Sequence, residues 1–339
     1  MRSPCRGGGE SLPGAGSLIC SEYMAWSSVV TIGNFDGVHA GHQAILARAR
    51  QLADQHAAKV KAFTFDPHPA RLLRPQHEPP HLMTLRRRIE ALREAGTDEV
   101  IVLHPDRELL DLPPGRFIDQ LVADHHPAAI VEGPDFRFGR GREGDVHLLT
   151  RLGAERGFRV EVVDKVERRL DDHHAVVVSS SVCRWLILRG RTSGAEICMG
   201  RPLMLDGKVV EGDKRGRTIG MPTINLALPL EMILPCDGVY AGAVELDDGR
   251  VFPAAISVGC KPTFGDKSRV VEAHLLDFAE ELYGRQVTVM PRRWLRDQLP
   301  FPSPASLAEQ LRRDVEQTRD LHRLGRLLPR EAVAQTQEY

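Results

Sequence analysis

The run Gly33-Asn34-Phe35-Asp36-Gly37-Val38-His39-Ala40-Gly41-His42 joins glycines to two histidines. Glycine lets a chain turn tightly and approach a ligand, and a helix starting behind the turn offers unpaired N–H groups to an anion. His39 and His42 are three apart and share one face of that first turn. Two imidazoles beside a helix start suit charge developing on phosphate oxygens. The competing reading is a plain strand-to-helix turn whose histidines cap or pack. Ser179-Ser180-Ser181-Val182-Cys183-Arg184 follows an apolar run and precedes a short helix at 185–188. Hydroxyls with an arginine at a helix start can hold a polyphosphate, and equally well form a serine N-cap with a surface arginine.

In the second half, the stretch from Gly212 through Gly216 and Gly220 to Asn225 mixes glycines, bases and a Thr/Asn pair. Alternation puts Thr223 and Asn225 on the same side of an extended chain, where two neutral oxygens can ligate Mg²⁺. No Walker A sequence occurs, so an ATP site here is not a P-loop. Glu272, in a run otherwise apolar at its flanks, is a carboxylate that can deprotonate a hydroxyl. A surface-facing Glu on an amphipathic strand is the more usual case. Two patterns are decoys. Gly139-Arg140-Gly141-Arg142-Glu143-Gly144 fits G-x-G-x-x-G, but Pro134 to Phe138 separate it from the preceding strand, so it reads as a mobile basic loop. The pairs His125-His126 and His173-His174 have acidic neighbours but no ligand spacing, and read as solvated surface.

These residues need elements to position them. Strand-like runs at 29–32, 60–65, 99–103, 128–131 and 158–163 alternate with helical stretches at 41–55, 84–95, 114–125 and 145–156. That alternation implies an α/β fold with a parallel sheet covered on both faces, with ligands at the carboxyl ends of the strands. Later, short strands at 203–210, 238–246, 250–258, 270–277 and 285–290 suggest an antiparallel barrel or sandwich, with a hairpin at Asp247-Asp248-Gly249. A last helix is expected to start with a capping box at Ser306 and Glu309 and to stop near Gly325. The expected division is a tail at 1–24, domains at 25–189 and 190–325, and a tail at 326–339. Met24 stands just before the first strong strand and offers an alternative start.

Composition bounds the function. The 339 residues suit about two domains. Forty-five Lys+Arg balance 46 Asp+Glu, which argues against a nucleic-acid carrier. No apolar run approaches the roughly 20 residues of a membrane span. Six scattered cysteines without C-x-x-C spacing fit a reducing, cytoplasmic compartment.

Taken together, the motifs GNFDGVHAGHQ (33–43), FTFDPHP (63–69), EGPDFRFGRGREGD (132–145) and SSSVCR (179–184) resemble the bacterial bifunctional riboflavin kinase/FAD synthetase family. So do GRPLMLDGKVVEGDKRGRTIGMPTINL (200–226), GVYAG (238–242), VGCKPTFG (258–265), VVEAHLLDF (270–278) and ELYGR (281–285). The resemblance implies an N-terminal Rossmann-like nucleotidyltransferase domain, then an antiparallel six-stranded β-barrel kinase domain with a C-terminal helix. It implies phosphorylation of riboflavin by ATP to FMN, then adenylylation of FMN by ATP to FAD with release of pyrophosphate. The implied catalytic groups are His39 and His42, the HxGH pair at the adenylyl-transfer centre, and Glu272, the general base on the ribityl hydroxyl. Gly33, Asn34, Phe35, Asp36, Gly41, Asp135, Ser180, Ser181 and Arg184 fall in the ATP and phosphate site of the first half. Gly212, Gly216, Gly220, Thr223 and Asn225 fall in that of the second, with Thr223 and Asn225 as the Mg²⁺ ligands. Arg296 falls where the family has an arginine near the flavin.

Departures from the family pattern are small: Ser181 for Thr, Cys183 for an aliphatic, Pro134 for a polar residue, Met221 for Phe, and Pro291 inside a strand. Competing readings are a single-activity riboflavin kinase or FAD synthetase, and a non-catalytic flavin-binding regulator. The latter would be expected to lose HxGH or Glu272, and both are present.

Overall fold

The computed structural model describes residues 27–212, 220–260 and 269–327. Its first half alternates strands and helices: β1 (Ser28–Ile32), α1 (Ala40–Gln55), β2 (Lys59–Phe65), α2 (Leu85–Glu94), β3 (Glu99–Leu103), α3 (Pro114–His125), β4 (Pro127–Glu132), α4 (Val146–Arg156) and β5 (Arg159–Val162). The strands form one parallel sheet in the order β3-β2-β1-β4-β5. Successive side chains of β1 point to opposite faces, and both faces are covered. Val30, Ile32, Phe63 and Ile130 pack under Ile118 and Leu121 of α3 and Leu149 and Leu152 of α4. Val29, Val60 and Val131 pack under Ala49 and Leu52 of α1. Burial on both sides is why these strands read as β-branched apolar runs. The chain works outward from β1 to β3 on one side and from β4 to β5 on the other. The parting between β1 and β4 is therefore the switch point where such sheets bind ligands.

A ribbon, β6 (Glu167–Arg169) with β7 (Ala175–Val177), follows. Its three-residue strands are mostly exposed, so they carry no apolar signature. Next come α5 (Ser180–Leu188) and α6 (Thr192–Met199). The Ser179 side chain accepts from the Val182 N–H and caps α5, which begins five residues before the expected 185. No helix was expected at α6, where Thr192, Ser193 and Gly194 lower helix propensity.

The second half is a closed six-stranded barrel, with neighbours in the order β10-β11-β12-β9-β8-β13. Its strands are β8 (Leu205–Val210), β9 (Ile224–Ala227), β10 (Gly238–Leu246), β11 (Val251–Cys260), β12 (Arg269–Leu275) and β13 (Gln286–Arg296). Strand β13 runs through Pro291 because the proline lies opposite Gly242 at a register shift, where a ladder hydrogen bond is not needed. Gly242 is required there, since a Cβ would fall 2.1 Å from the Met290 carbonyl oxygen. The last helix, α7 (Pro304–Arg323), carries its capping box one turn earlier than expected, at Ser303 with Ser306. Ser306 is thus the third helical residue, not the cap.

The two halves share structure. One apolar cluster runs from Ala40 and Leu82 through Leu186 and Met199 to Tyr240 and Ile256. Arg87 of α2 pairs with Asp206 of β8 at 3.0 Å and donates to the Thr288 hydroxyl of β13 at 2.8 Å. The backbone of His81 bridges to Glu231 and Ile233 at 2.7 and 2.9 Å.

Candidate active sites

β1 ends at the glycine turn, where Phe35, Gly37 and Val38 have φ of 48, 86 and 35°. Left-handed backbone at two non-glycine residues is stored strain of the kind found where a loop is shaped for a ligand. His39 then caps α1, its Nδ1 accepting the His42 N–H at 3.4 Å. The proton of His39 therefore resides on Nε2. The two imidazoles stack with centroids 3.6 Å apart, and His42 stands edge-on to Phe35 at 5.1 Å. Gly41 leaves the stack room, since a Cβ there would press on the His39 ring at 3.2 Å. Burial pushes the His39 pKa down to about 4, with Arg184 adding to the fall and Asp36 opposing it. Burial, His39 and Arg88 hold His42 well below its ordinary value. Both rings are neutral at pH 7. They can stack without repulsion and offer hydrogen bonds rather than charge. His42 Nδ1 and Asn34 Oδ1 are buried without a partner, so the turn has polar capacity left over.

The start of α5 lies against this turn. Ser180 donates from its hydroxyl to the Asp36 carbonyl at 2.9 Å. Arg184 Nη2 pairs with the Asp36 carboxylate at 2.5 Å, and its Nε donates to the Pro80 carbonyl at 2.7 Å. Both Asp36 oxygens also accept the Leu82 N–H at 3.0 Å. Asp36, 3 % exposed, is a clasp that binds three segments rather than a group presented to phosphate. Ser181 is exposed beside it. Sequence reasoning missed Arg88, which is buried and donates to the Phe65 carbonyl at 2.8 Å and to Thr64 Oγ1 at 3.3 Å. Three adjacent arginines on one helix gave no sign of which one turns inward.

Gly33 starts the turn, its N–H donating to the Phe63 carbonyl at 3.0 Å. Asp135 is not brought to this group: it is mostly exposed and pairs with Lys165 at 2.7 Å. The basic loop beyond it is pinned rather than loose. Phe138 bridges to Gly144, Phe136 stacks on Phe138 at 5.4 Å, and the Arg140 N–H reaches the Leu112 carbonyl at 2.7 Å.

In the barrel, Glu272 of β12 lies directly opposite Asn225 of β9. Ser257 of β11 extends the row beyond Glu272, and Val210 of β8 extends it beyond Asn225. Directly opposed residues share a face. Val271, Ala273 and Leu226 fill the other face, in the core. Asn225 Oδ1 is buried without a hydrogen-bond partner, and a Cβ on Gly212 would fall 2.2 Å from Asn225 Nδ2. Gly212 is thus glycine by necessity, where its backbone crosses the amide. Thr223 sits two residues before Asn225, and His274 Nδ1 donates to the Pro222 carbonyl at 2.8 Å, tethering that approach to β12. Gly220 has φ of 76°, a left-handed backbone that favours glycine. Gly216 lies outside the described residues. Among those described, no cluster of three or more His, Cys, Asp or Glu can hold a metal. A cation here would rely on the hydroxyl and amide oxygens of Thr223 and Asn225 together with substrate phosphate.

Arg296 is not joined to this row. Its Nε and Nη2 bind the Asp314 carboxylate of α7 at 2.7–3.1 Å, and its guanidinium lies 5.4 Å from the Phe301 ring centroid.

Two family models divide the chain where the two folds do. One described as FAD synthetase matches residues 23–181, and one described as riboflavin kinase matches residues 199–322. A bifunctional riboflavin kinase/FMN adenylyltransferase of Escherichia coli K12 is 36% identical over 287 residues, covering 84% of this chain and 90% of its own. The chain belongs to that bifunctional family. A family member from Bacillus subtilis is 32% identical over 296 residues, covering 86% of this chain and 91% of its own. A solved structure named a macrolide-efflux protein, from Streptococcus pneumoniae, superposes with a TM-score of 0.79 at 32% identity, covering 87% of this chain and 94% of that one. Its name describes transport, whereas no helix among the described residues here is long and apolar enough to cross a membrane. As in the family, this transferase phosphorylates riboflavin to FMN and adenylylates FMN to FAD.

Proposed function

We propose that the barrel carries out the kinase step at the Glu272–Asn225 row and that the parallel-sheet half carries out adenylylation at the His39–His42 stack. The observation that carries this division is that the two groups lie on different sheets, each with its own buried, unsatisfied polar atoms: Asn225 Oδ1 in one, Asn34 Oδ1 and His42 Nδ1 in the other. In the barrel, Glu272 takes the proton from the 5′-hydroxyl of riboflavin as the oxygen attacks the γ-phosphate of ATP. A primary alcohol is a poor nucleophile, so a base is needed here. Thr223 and Asn225 hold Mg²⁺, which when bound neutralises charge on the transferring phosphate. The orphaned Asn225 oxygen supports that ligation.

In the first half, FMN brings an already anionic phosphate, so no base is required. His39 and His42 hydrogen-bond the ATP phosphates as neutral donors, Ser181 and the N-terminus of α5 add further donors, and Arg184 contributes positive charge while it anchors Asp36. The thiols of Cys183, Cys198 and Cys236, none of them in a disulfide, are in keeping with a cytoplasmic enzyme.

The test is to incubate pure protein with riboflavin, ATP and Mg²⁺ and to separate the flavins by chromatography. Wild type should yield FMN and FAD. His42→Ala should stop at FMN. Glu272→Gln should make FMN slower by roughly two to four orders of magnitude, yet still convert supplied FMN to FAD. Either variant losing both activities together would overturn the division.

A further inference from the structure

Glu132 is the last residue of β4 and is 3 % exposed. Pairing of β1 with β4 runs from Ser28–Pro127 to Val30–Ile130 and goes no further, while β1 stays paired with β2 as far as Ile32–Phe63. The Ile32 N–H therefore faces a gap that the β4 backbone has left. The carboxyl of Glu132 fills it: Oε1 accepts the Ile32 N–H at 2.6 Å and the Thr31 hydroxyl at 3.3 Å. The Glu132 carbonyl meanwhile accepts the Val163 N–H at 2.8 Å, on the β5 side. One side chain thus spans the parting of the two strands at the switch point, where ligands of such sheets bind. On one bank, Ile32 leads straight into the Gly33–Asp36 turn. On the other, Glu132 leads into Gly133, Asp135 and the pinned loop at 136–142.

We propose that Glu132 is a positioning residue for FMN adenylylation: its carboxyl sets the gap between β1 and β4, and so places the 33–36 turn that leads into the His39–His42 stack. This rests on the adenylyltransferase reading of the His39–His42 site. Burial pushes the Glu132 pKa well above the usual carboxylate range, its two hydrogen bonds only partly opposing this. Glutamine reproduces its shape and its accepting oxygen, while methionine keeps the volume and loses the acceptor.

Glu132→Gln and Glu132→Met are compared in the full chain, with riboflavin phosphorylation as the internal control. Glu132→Gln should form FAD at close to the wild-type rate. Glu132→Met should lose about 10- to 100-fold in kcat for FAD formation, because small misplacements of reacting groups have effects of this size. Its KM for ATP should change less than its kcat, and its kinase rate should not change. The proposal is overturned if Glu132→Met adenylylates at the wild-type rate, if Glu132→Gln is slowed as much as Glu132→Met, or if both activities fall in parallel with melting temperature. His42→Ala run alongside separates the two levels: an inert His42→Ala beside a fully active Glu132→Met removes this inference alone, whereas an active His42→Ala removes the site reading and this inference with it.

Discussion

His39 shows how one side chain can serve both fold and reaction. It caps α1, stacks on His42 and stays neutral because burial outweighs the pull of Asp36. Neutrality has a thermodynamic consequence. Between the folded pKa of about 4 and the ordinary value of 6.5, the unfolded chain binds a proton at this residue that the folded chain does not. Stability from His39 is therefore fully present above pH 6.5 and drains as pH falls towards 4, by up to about 1.4 kcal/mol per pH unit. We expect the melting temperature to drop between pH 7 and pH 5, and His39→Asn to flatten that slope, since asparagine caps helices but does not titrate. Equal slopes in the two proteins would contradict the assignment. The spacing of the pair was legible in the sequence because i and i+3 always share a helical face. Its protonation state was not, because that depends on what covers it.

Elements were readable where the local signal was strong. The strand at Glu99–Leu103 and the helix at Pro114–His125 occur where their patterns put them. Strand β9 was not recognised as a strand, because four residues show too little alternation to stand out. Helix α7 was legible, but its start was misplaced by one turn. The box forms instead at Ser303, whose hydroxyl accepts the Ser306 N–H while the Ser306 hydroxyl accepts the Ser303 N–H, both at 3.2 Å. The same helix supplies Asp314, 1 % exposed, which holds Arg296. Removing Asp314 leaves the half-buried Arg296 guanidinium with only the Asp297 carbonyl and the Phe301 ring, so Asp314→Ala should cost about 1–3 kcal/mol in urea unfolding. A loss below about 1 kcal/mol would mean the pair behaves as a surface bridge. Arg296 thus serves as a strut between barrel and helix, whatever it does for the flavin.

At the scale of the molecule, the two catalytic folds are not beads on a string. The apolar cluster is continuous from Ala40 and Leu82 to Tyr240 and Ile256, and Arg87–Asp206 clamps α2 to β8. Separating the halves would expose that cluster to water. We expect calorimetry to show one cooperative transition for the described fold, and Asp206→Ala to lower it as a whole. Two resolved transitions in the wild type would show that the shared core does not couple the halves.

The sequence by itself determined the strand–helix alternation of the first half, the strand-rich character of the second and the residues of each motif, because periodicity, caps and glycine turns act over a few residues. Tertiary structure alone decided which of these residues meet. Glu272 faces Asn225 only through the register of β12 on β9. Asp36 closes on Arg184 rather than facing a ligand because α5 folds back over the turn. Glu132 reaches Ile32 only because two strands part at the switch point. Register, burial and the parting of strands arise between segments far apart in the chain, so no local window of sequence contains them.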